Sequence, residues 1–129
     1  MNRIKSIAKK RLIIEAKVND KAANFLIDTG ASVAIMDSNQ RKKYDLKEGR
    51  KFGSTIVGAG GEMRNVRHCE TFAYFEGRAI PQFLLADISS VVESIKRETG
   101  VEILGIISLP QMSIIGMNID VNSQELWLE

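Results

Sequence analysis

An aspartate follows a run of apolar residues early in the chain, in residues 25–32, which read Phe-Leu-Ile-Asp-Thr-Gly-Ala-Ser. A carboxylate at the end of a buried strand is costly unless its charge is paired, hydrogen-bonded or used in chemistry. The hydroxyl of Thr29 and the small Gly30 come directly after Asp28, which predicts a tight polar loop at the strand end. Asp28 is therefore the first candidate for a catalytic residue.

Two carboxylates that share one proton can hydrolyse a peptide bond without a metal, serine or cysteine. Like charges held close together cannot both ionise, so one carboxylate acts as base towards water while the other donates a proton. The chain has no second Asp-Thr-Gly or Asp-Ser-Gly, and five other aspartates lack this context: Asp20, Asp37, Asp45, Asp87 and Asp120. If the motif is functional, the economical source of the second carboxylate is a C2 homodimer, because an isologous interface repeats the same residue across the axis.

The flanks of the motif carry a family resemblance. Residues 26–32 match, residue by residue, the catalytic loop of retropepsins, the retroviral-type aspartic proteases, and the resemblance extends in order of elements over residues 11–128. A later apolar-apolar-glycine element is similar to one that packs near the catalytic loop in that family and leads into a short helix. Residues 114–116 have the same apolar-apolar-glycine pattern, but residues 103–105 leave room for a helix after them and 114–116 do not. The preferred element is Ile103, Leu104 and Gly105.

The resemblance implies a role for each residue of the loop. Asp28 would be the catalytic carboxylate, and Thr29 would hydrogen-bond across the dimer axis to the loop of the second protomer. Gly30 would let the two loops approach closely. Ser32, which follows Ala31, would hydrogen-bond to an Asp28 oxygen, with an ordinary turn hydroxyl as the alternative.

A glycine-rich stretch is the candidate for a flap, the mobile hairpin tip that closes over an extended peptide in the related proteases. A plain hairpin turn is the alternative. The side chains next to the tip are not aromatic, unlike those of relatives that contact substrate through an aromatic residue at this position. The candidate flap residues are Val57, Gly58, Ala59, Gly60 and Gly61.

The composition is that of one domain of 129 residues, with 44% hydrophobic residues, 26% charged residues and a net charge of +2. This charge is too small to indicate nucleic acid or a membrane as a main partner. The lone Cys69 allows neither an intrachain disulfide nor a thiol zinc site, and it cannot pair with His68 because neighbouring strand residues point to opposite faces. We expect no cofactor, no metal and, without a secretory signal, a cytoplasmic location.

Many short apolar segments separated by glycine or polar turns predict an all-β fold. The resemblance makes this a small closed β-barrel of the retropepsin (acid protease) type, with a flap hairpin and one or two short helices. Residues 1–10 are predicted to be a basic, flexible segment, and residues 11–129 the protease domain. Residues 87–99 fit either a short helix or an exposed loop. Leu109-Pro110 is expected to end a helical turn, with strands over 113–119 and 124–128.

The preferred function is that of a homodimeric aspartic endopeptidase acting on polypeptides. An inactive retropepsin-like module that binds peptides or dimerises is the main alternative, and an unrelated β-barrel with a chance motif is the third. The aspartate near the other end of the chain, Asp120, is interpreted as a turn residue. Trp127 in the last strand fits either a dimer interface or the protomer core.

Overall fold

The computed structural model is mostly β and describes residues 2–58 and 61–129. Three α-helices occur in these ranges, where one or two were predicted: α1 (Arg41–Tyr44), α2 (Ser89–Thr99) and α3 (Leu109–Ile115). The strands, in chain order, are β1 (Ile4–Lys5), β2 (Ile13–Val18), β3 (Lys21–Asp28), β4 (Ala34–Asp37), β5 (Glu48–Lys51), β6 (Ile56–Gly58), β7 (Gly61–Met63), β8 (Arg67–Cys69), β9 (Ala73–Phe75), β10 (Arg78–Ile80), β11 (Phe83–Ala86), β12 (Gly105–Ser108), β13 (Met117–Asp120) and β14 (Glu125–Leu128).

The first long hairpin delivers Asp28 to its place. Strands β2 and β3 pair antiparallel, with Val18 opposite Lys21. The two residues between them, Asn19 and Asp20, have φ of 49° and 65°, which is the left-handed conformation that asparagine and aspartate tolerate best. The sequence Asn19-Asp20-Lys21 predicts a turn, and the structure confirms it. β3 therefore runs as an eight-residue strand that ends at Asp28.

A nine-stranded sheet holds β3, the strand that ends at Asp28, near its centre. The strand order is β10-β9-β2-β3-β12-β4-β11-β8-β5, and β3 pairs antiparallel with β2 and parallel with β12. In the parallel ladder Ile27 lies opposite Ile107, and Asp28 lies opposite Ser108. No ladder joins the outer strands β10 and β5 within residues 2–58 and 61–129. The mostly-β class is as predicted, whereas closure into a barrel stays a prediction.

Two hydrophobic clusters cover the two faces of this sheet because successive strand residues point in opposite directions. One cluster contains Phe25, Ile27 and Ile107. The other contains Leu26 and the helix α2 residue Ile95. Strand β3 is thus packed on both faces and hydrogen-bonded along both edges.

Helix α2 settles the alternative left open for residues 87–99. The helix spans Ser89–Thr99, buries Val92 and Ile95, and ends at Gly100 with a φ of 77°. Asp87 supports its start, because Asp87 Oδ1 accepts a hydrogen bond of 3.0 Å from the backbone N–H of Ser89. The segment is therefore a helix whose apolar side packs on the sheet.

The expectation that Leu109-Pro110 ends a helical turn is wrong. Pro110 lies in the first turn of α3, where its missing N–H costs nothing because that group has no helical partner. The strand expected over residues 113–119 is also partly wrong, since Gly116, with a φ of 71°, ends α3 before β13 begins. The proline starts the helix, and the glycine stops it.

A small three-stranded sheet of order β1-β14-β13 brings the two ends of the chain together. Ile4 lies opposite Leu126, which is buried in the first cluster. Trp127 is half-buried, and the Arg3 guanidinium lies 4.0 Å from the centre of a Trp127 ring. Part of residues 1–10 is therefore paired with β14, and the mobility expected for this segment stays a prediction.

Candidate active site

Asp28 is half-buried at the end of β3, where the strand leaves the sheet. The backbone N–H of Gly30 donates a 3.0 Å hydrogen bond to Asp28 Oδ1. No hydrogen bond to Asp28 Oδ2 occurs among the described residues. One carboxylate oxygen is thus held by its own loop, and the other is left to bind a proton, a water molecule or a second carboxylate.

The loop after Asp28 is exposed at its tip and anchored at its end. Thr29, Gly30 and Ser32 are exposed, whereas Ala31 is half-buried. The Ala31 N–H donates to the Asp28 carbonyl at 3.2 Å, and the Ala31 carbonyl accepts from the Leu109 N–H at 3.3 Å. Helix α3 therefore begins against the loop that carries the candidate site.

Ser32 lies away from the Asp28 carboxylate in this protomer. It lines a cavity of about 410 Å³ together with Val33, His68 and Gln111, and no side-chain hydrogen bond joins it to Asp28 in the described part of the chain. The hydrogen bond implied by the family resemblance stays a prediction. The cross-dimer contact of Thr29 likewise stays a prediction.

Two buried polar residues beneath the loop were not identified from the sequence. Ser108 lies opposite Asp28 in the ladder, and its hydroxyl is hydrogen-bonded to Gln111 Oε1. The Gln111 amide donates to the carbonyl of Gln82 at 3.3 Å. A serine directly after the apolar Ile106-Ile107 was the available signal, but only the fold shows that Ser108 is fully buried.

The apolar-apolar-glycine element, residues 103–105, lies beside β3, the strand that ends at Asp28. The Leu104 N–H donates to the Asn24 carbonyl at 2.8 Å, and Gly105 pairs with Phe25 on one side and Met36 on the other. A Cβ at Gly105 would overlap the Ile35 carbonyl oxygen, which is backbone and cannot rotate away. Glycine at this position lets β4 and β12 approach closely.

A cavity of about 400 Å³ opens next to the Asp28 carboxylate. Asp28 is the only carboxylate among the described residues that line it, and helix α2 forms its opposite wall. Its other lining residues are Arg11, Leu26, Ser90, Val91, Ser94 and Ile95. The cavity is thus lined by two charged residues, two serines and three apolar residues.

The positive charge of Arg11 at this cavity is held by Glu98 of helix α2. Arg11 Nε lies 3.2 Å from both Glu98 carboxylate oxygens. The hydrogen bond with Glu98, followed by the charge of Glu98, raises the pKa of Arg11 above its usual value, with a smaller contribution from Asp28. The guanidinium is therefore a permanent cation that is already paired.

The candidate flap is a two-stranded hairpin. β6 and β7 pair antiparallel, with Val57 opposite Glu62 and Gly58 opposite Gly61. The side chain of Val57 is strongly exposed, and Gly61 has a φ of 102°. Two of the predicted flap residues, Ala59 and Gly60, lie outside the described residues. The hairpin predicted from the glycines is present on both sides of them.

Three other polar residues considered in the sequence, Cys69, His68 and Asp120, have structural roles. Cys69 is buried, and removal from water raises the pKa of its thiol, which opposes reactivity at neutral pH. His68 instead packs against Phe52, with ring centres 5.5 Å apart. Asp120 Oδ1 accepts hydrogen bonds from the backbone of Asn122 and Ser123, at 3.1 and 3.4 Å, as expected for a turn aspartate.

No group of three or more His, Cys, Asp or Glu side chains suited to a metal ion occurs among residues 2–58 and 61–129. Across the same ranges, none of the helices combines the length and apolar character needed to cross a bilayer.

Comparison with known proteins identifies the family. Residues 14–119 match the model of a family described as aspartyl protease. No match to the chain is found among curated proteins. The match spans strand β3 with Asp28, the β6–β7 hairpin, helix α2 and helix α3.

Three solved structures have a similar fold. EIAV protease in complex with an inhibitor is 23% identical with a TM-score of 0.64, covering 91% of this chain and 99% of that one. The retroviral protease-like domain of Ddi1 from Leishmania major is 18% identical with a TM-score of 0.60, covering 92% and 88%. A retropepsin-like aspartic protease from Rickettsia conorii is 16% identical with a TM-score of 0.58, covering 97% and 86%. The chain therefore belongs to the aspartyl protease family and has the retropepsin-like fold that its motifs predicted.

Proposed function

We propose that the protein is a homodimeric aspartic endopeptidase in which the Asp28 carboxylates of two protomers activate water against a peptide bond. The observation that carries this proposal is the position of Asp28, a lone carboxylate facing a cavity of about 400 Å³ from the end of a centrally packed strand. A lone carboxylate supplies only half of the acid–base pair that the reaction needs. The second half comes from an identical loop across a two-fold axis.

The loop is suited to such a pairing because its tip is open to solvent. Thr29 and Gly30 are exposed directly beside Asp28, so a second copy can approach without displacing core residues. Thr29 would hydrogen-bond to the opposite loop, and the Gly30 N–H keeps Asp28 Oδ1 oriented. The two remaining oxygens would then share one proton across the axis.

The reaction follows from that shared proton. The ionised carboxylate removes a proton from a water molecule as the water oxygen attacks the scissile carbonyl carbon. The protonated carboxyl donates its proton to the carbonyl oxygen, which gives a tetrahedral intermediate with two hydroxyl groups. This intermediate collapses when the carboxyl that took the water proton passes it to the leaving nitrogen and the other carboxylate takes up a hydroxyl proton, so that the pair again holds one proton. The peptide would lie extended under the flap hairpin, with backbone pairing of the β type. Closure of residues 57–61 over it would exclude water.

Two structural features extend the proposal. The nine-stranded sheet would close into the small barrel predicted for the family. The three-stranded sheet with Trp127 has strand edges that are unpaired in the described chain, at β1 and β13, and these could extend across the dimer. The half-buried Trp127 is then expected at or near the interface.

The decisive experiment compares the wild-type protein with Asp28→Asn. Peptide cleavage by the variant should fall at least about hundredfold, because an amide can neither take up nor share the proton. Sedimentation should still give a folded dimer. Asp45→Asn is the matched control. Asp45 is exposed, lies outside both the cavity beside Asp28 and the strand edges proposed for the dimer, and has a left-handed backbone that asparagine tolerates, so cleavage should be unchanged.

A pH profile adds a second readout. The rate should be highest at acidic to mildly acidic pH, because one carboxyl of the pair must stay protonated. Undiminished cleavage by Asp28→Asn, or a rate that rises steadily to alkaline pH, would contradict the mechanism. A folded dimer that binds peptides without cleaving them would support the inactive peptide-binding module instead.

A further inference from the structure

The Asp28 loop, residues 28–32, receives little support from packing at its tip. The tip is exposed to solvent, and Ser32 faces the cavity of about 410 Å³. Outside the β3–β12 ladder, one backbone hydrogen bond links the loop to another segment in the described part of the chain. It runs from the Leu109 N–H to the Ala31 carbonyl, at 3.3 Å. The position of the loop therefore depends on what holds the start of helix α3.

Ser108 and Gln111 have the spacing of a helix capping box but do not cap the helix. Ser108 directly precedes α3, where a serine hydroxyl ordinarily accepts a hydrogen bond from a backbone N–H of the first turn. No such bond is made, and the hydroxyl donates to Gln111 Oε1 instead. The Gln111 amide in turn donates to the Gln82 carbonyl at 3.3 Å. The two side chains thus tie the start of α3 to the turn before β11.

The Ser108–Gln111 pair is connected to Asp28 through the backbone. Ser108 is fully buried and lies opposite Asp28 in the parallel ladder, and the next residue, Leu109, holds the loop carbonyl. Gln111 is also buried. Buried polar side chains favour the one arrangement in which both are hydrogen-bonded, because an unpaired group there costs free energy. A continuous series of contacts therefore runs from the turn before β11, through the buried pair, to the loop that carries Asp28.

We propose that the Ser108–Gln111 pair sets the position of the Asp28 carboxylate relative to its counterpart in the dimer. This inference rests on the proposed function, and both members are positioning residues that act through the loop. Two carboxylates share a proton only when their oxygens lie within hydrogen-bonding distance. A displacement of the loop by about 1 Å therefore lowers the rate of the chemical step more than the affinity for substrate.

The test compares wild type with Ser108→Ala, Gln111→Met and the double variant. Ser108 lines neither the cavity beside Asp28 nor the one beside Ser32. Ser108→Ala should therefore lower kcat on a peptide substrate by about tenfold or more and leave KM within about twofold. Each single variant should also lower the melting temperature, because it leaves a buried polar group without its partner. The control is Ser113→Ala, at an exposed serine of the same helix, which should change neither quantity.

The double variant separates positioning from stability. Replacing both partners with apolar side chains removes the unpaired groups, so the melting temperature should return most of the way to the wild-type value, whereas kcat should stay low. A kcat that recovers together with the melting temperature would overturn the inference, because the role of the pair would then be structural. Recovery of kcat at higher protein concentration would also overturn it, since the pair would then support dimer association and not the geometry within the dimer.

Amide hydrogen exchange tests the same inference without cleavage. The N–H groups of Gly30 and Ala31, which donate to Asp28, should exchange at least about tenfold faster in the double variant. The Ile27 N–H, which donates to the Leu12 carbonyl, should keep its rate.

The outcomes for the two proposals are distinct. Faster exchange in the loop of a protein that does not cleave peptides would overturn the proposed function and support the positioning role. Cleavage with an unchanged kcat in both single variants would overturn the positioning role and leave the proposed function standing. Unchanged exchange in the loop would overturn the positioning role whether or not the protein cleaves peptides.

Discussion

The strand that carries Asp28 and the hairpin proposed to cover it are built in opposite ways. β3 is hydrogen-bonded to β2 on one edge and β12 on the other, and Ile107, opposite Ile27 on β12, is fully buried. The flap strands β6 and β7 pair only with each other in the described chain, and Val57 on them is 76% exposed. Strand β3 is hydrogen-bonded on both edges and packed on both faces. The β6–β7 hairpin is joined to the rest of the sheet structure only at its base in the described chain.

The difference matches what the proposed function requires of each region. A catalytic carboxylate has to stay within a fraction of an ångström of its working position, which requires packed neighbours with locked side chains. A covering hairpin has to open for substrate and close again, and segments with few buried contacts open at low free-energy cost. We therefore expect that packing around the Asp28 loop contributes most of the free energy of unfolding and that the β6–β7 hairpin contributes little.

Truncating one side chain in each region should give the largest contrast. Ile107→Ala should lower the free energy of unfolding by about 2 to 5 kcal/mol, because it removes buried methyl groups on β12, directly beside the strand that ends at Asp28. Val57→Ala should change it by less than about 0.5 kcal/mol, as for most exposed positions. Urea denaturation measures both, and comparable losses in the two variants would show that the hairpin is packed as firmly as the sheet.

Two glycines offer a second, smaller contrast. Gly105→Ala should destabilise the protein by about 1 to 3 kcal/mol, because the new methyl group overlaps the Ile35 carbonyl and forces two central strands apart. Gly53→Ala, near the base of the flap region, meets no atom within 4 Å and should be nearly neutral. The melting temperatures of the two variants decide the matter. A neutral Gly105→Ala would mean that the central strands yield easily.

The smallest effect is expected at the start of helix α2, which stands between the two regions. Asp87→Ala should cost about 1 kcal/mol, because it removes the acceptor for the Ser89 N–H and for the Asn39 amide. These hydrogen bonds, that of the Ser89 backbone first, lower the pKa of Asp87 in the folded protein. The charged form is thus the one that stabilises the fold.

The pH dependence of that effect has a definite sign. The contribution of Asp87 should be fully present above the unfolded-state pKa of about 3.9, and should be lost as the pH falls through the lower folded-state pKa. Urea titrations of wild type and Asp87→Ala at a series of pH values would measure it, with Glu93→Ala as a control on the same helix. A stability difference that grows as the pH falls would contradict this account.

Local features of the fold were predictable because a few neighbouring residues determine them. Asn19 and Asp20 form the expected turn, and Asp28 lies at the end of its strand. The sequence alone does not decide between a helix and a loop for residues 87–99. Ile88, Val92 and Ile95 have helical spacing, but a short apolar pattern without a clear cap fits a loop as well. Pro110 was misread because proline can stand at either end of a helix, and only its neighbours in space decide which.

The amino-acid sequence by itself determined the Asp-Thr-Gly motif, its single occurrence, the glycine-rich hairpin and the turn that leads into β3. These are properties of contiguous residues, whose chemistry and backbone preferences act locally. The tertiary structure alone decided that Ser108 and Gln111 are buried beneath the loop, that Gly105 must be glycine, and that Val91 faces the Asp28 cavity. Each of these depends on the packing of segments far apart in the chain, above all the pairing of β12 with β3 and β4 and the seat of helix α2 on the sheet.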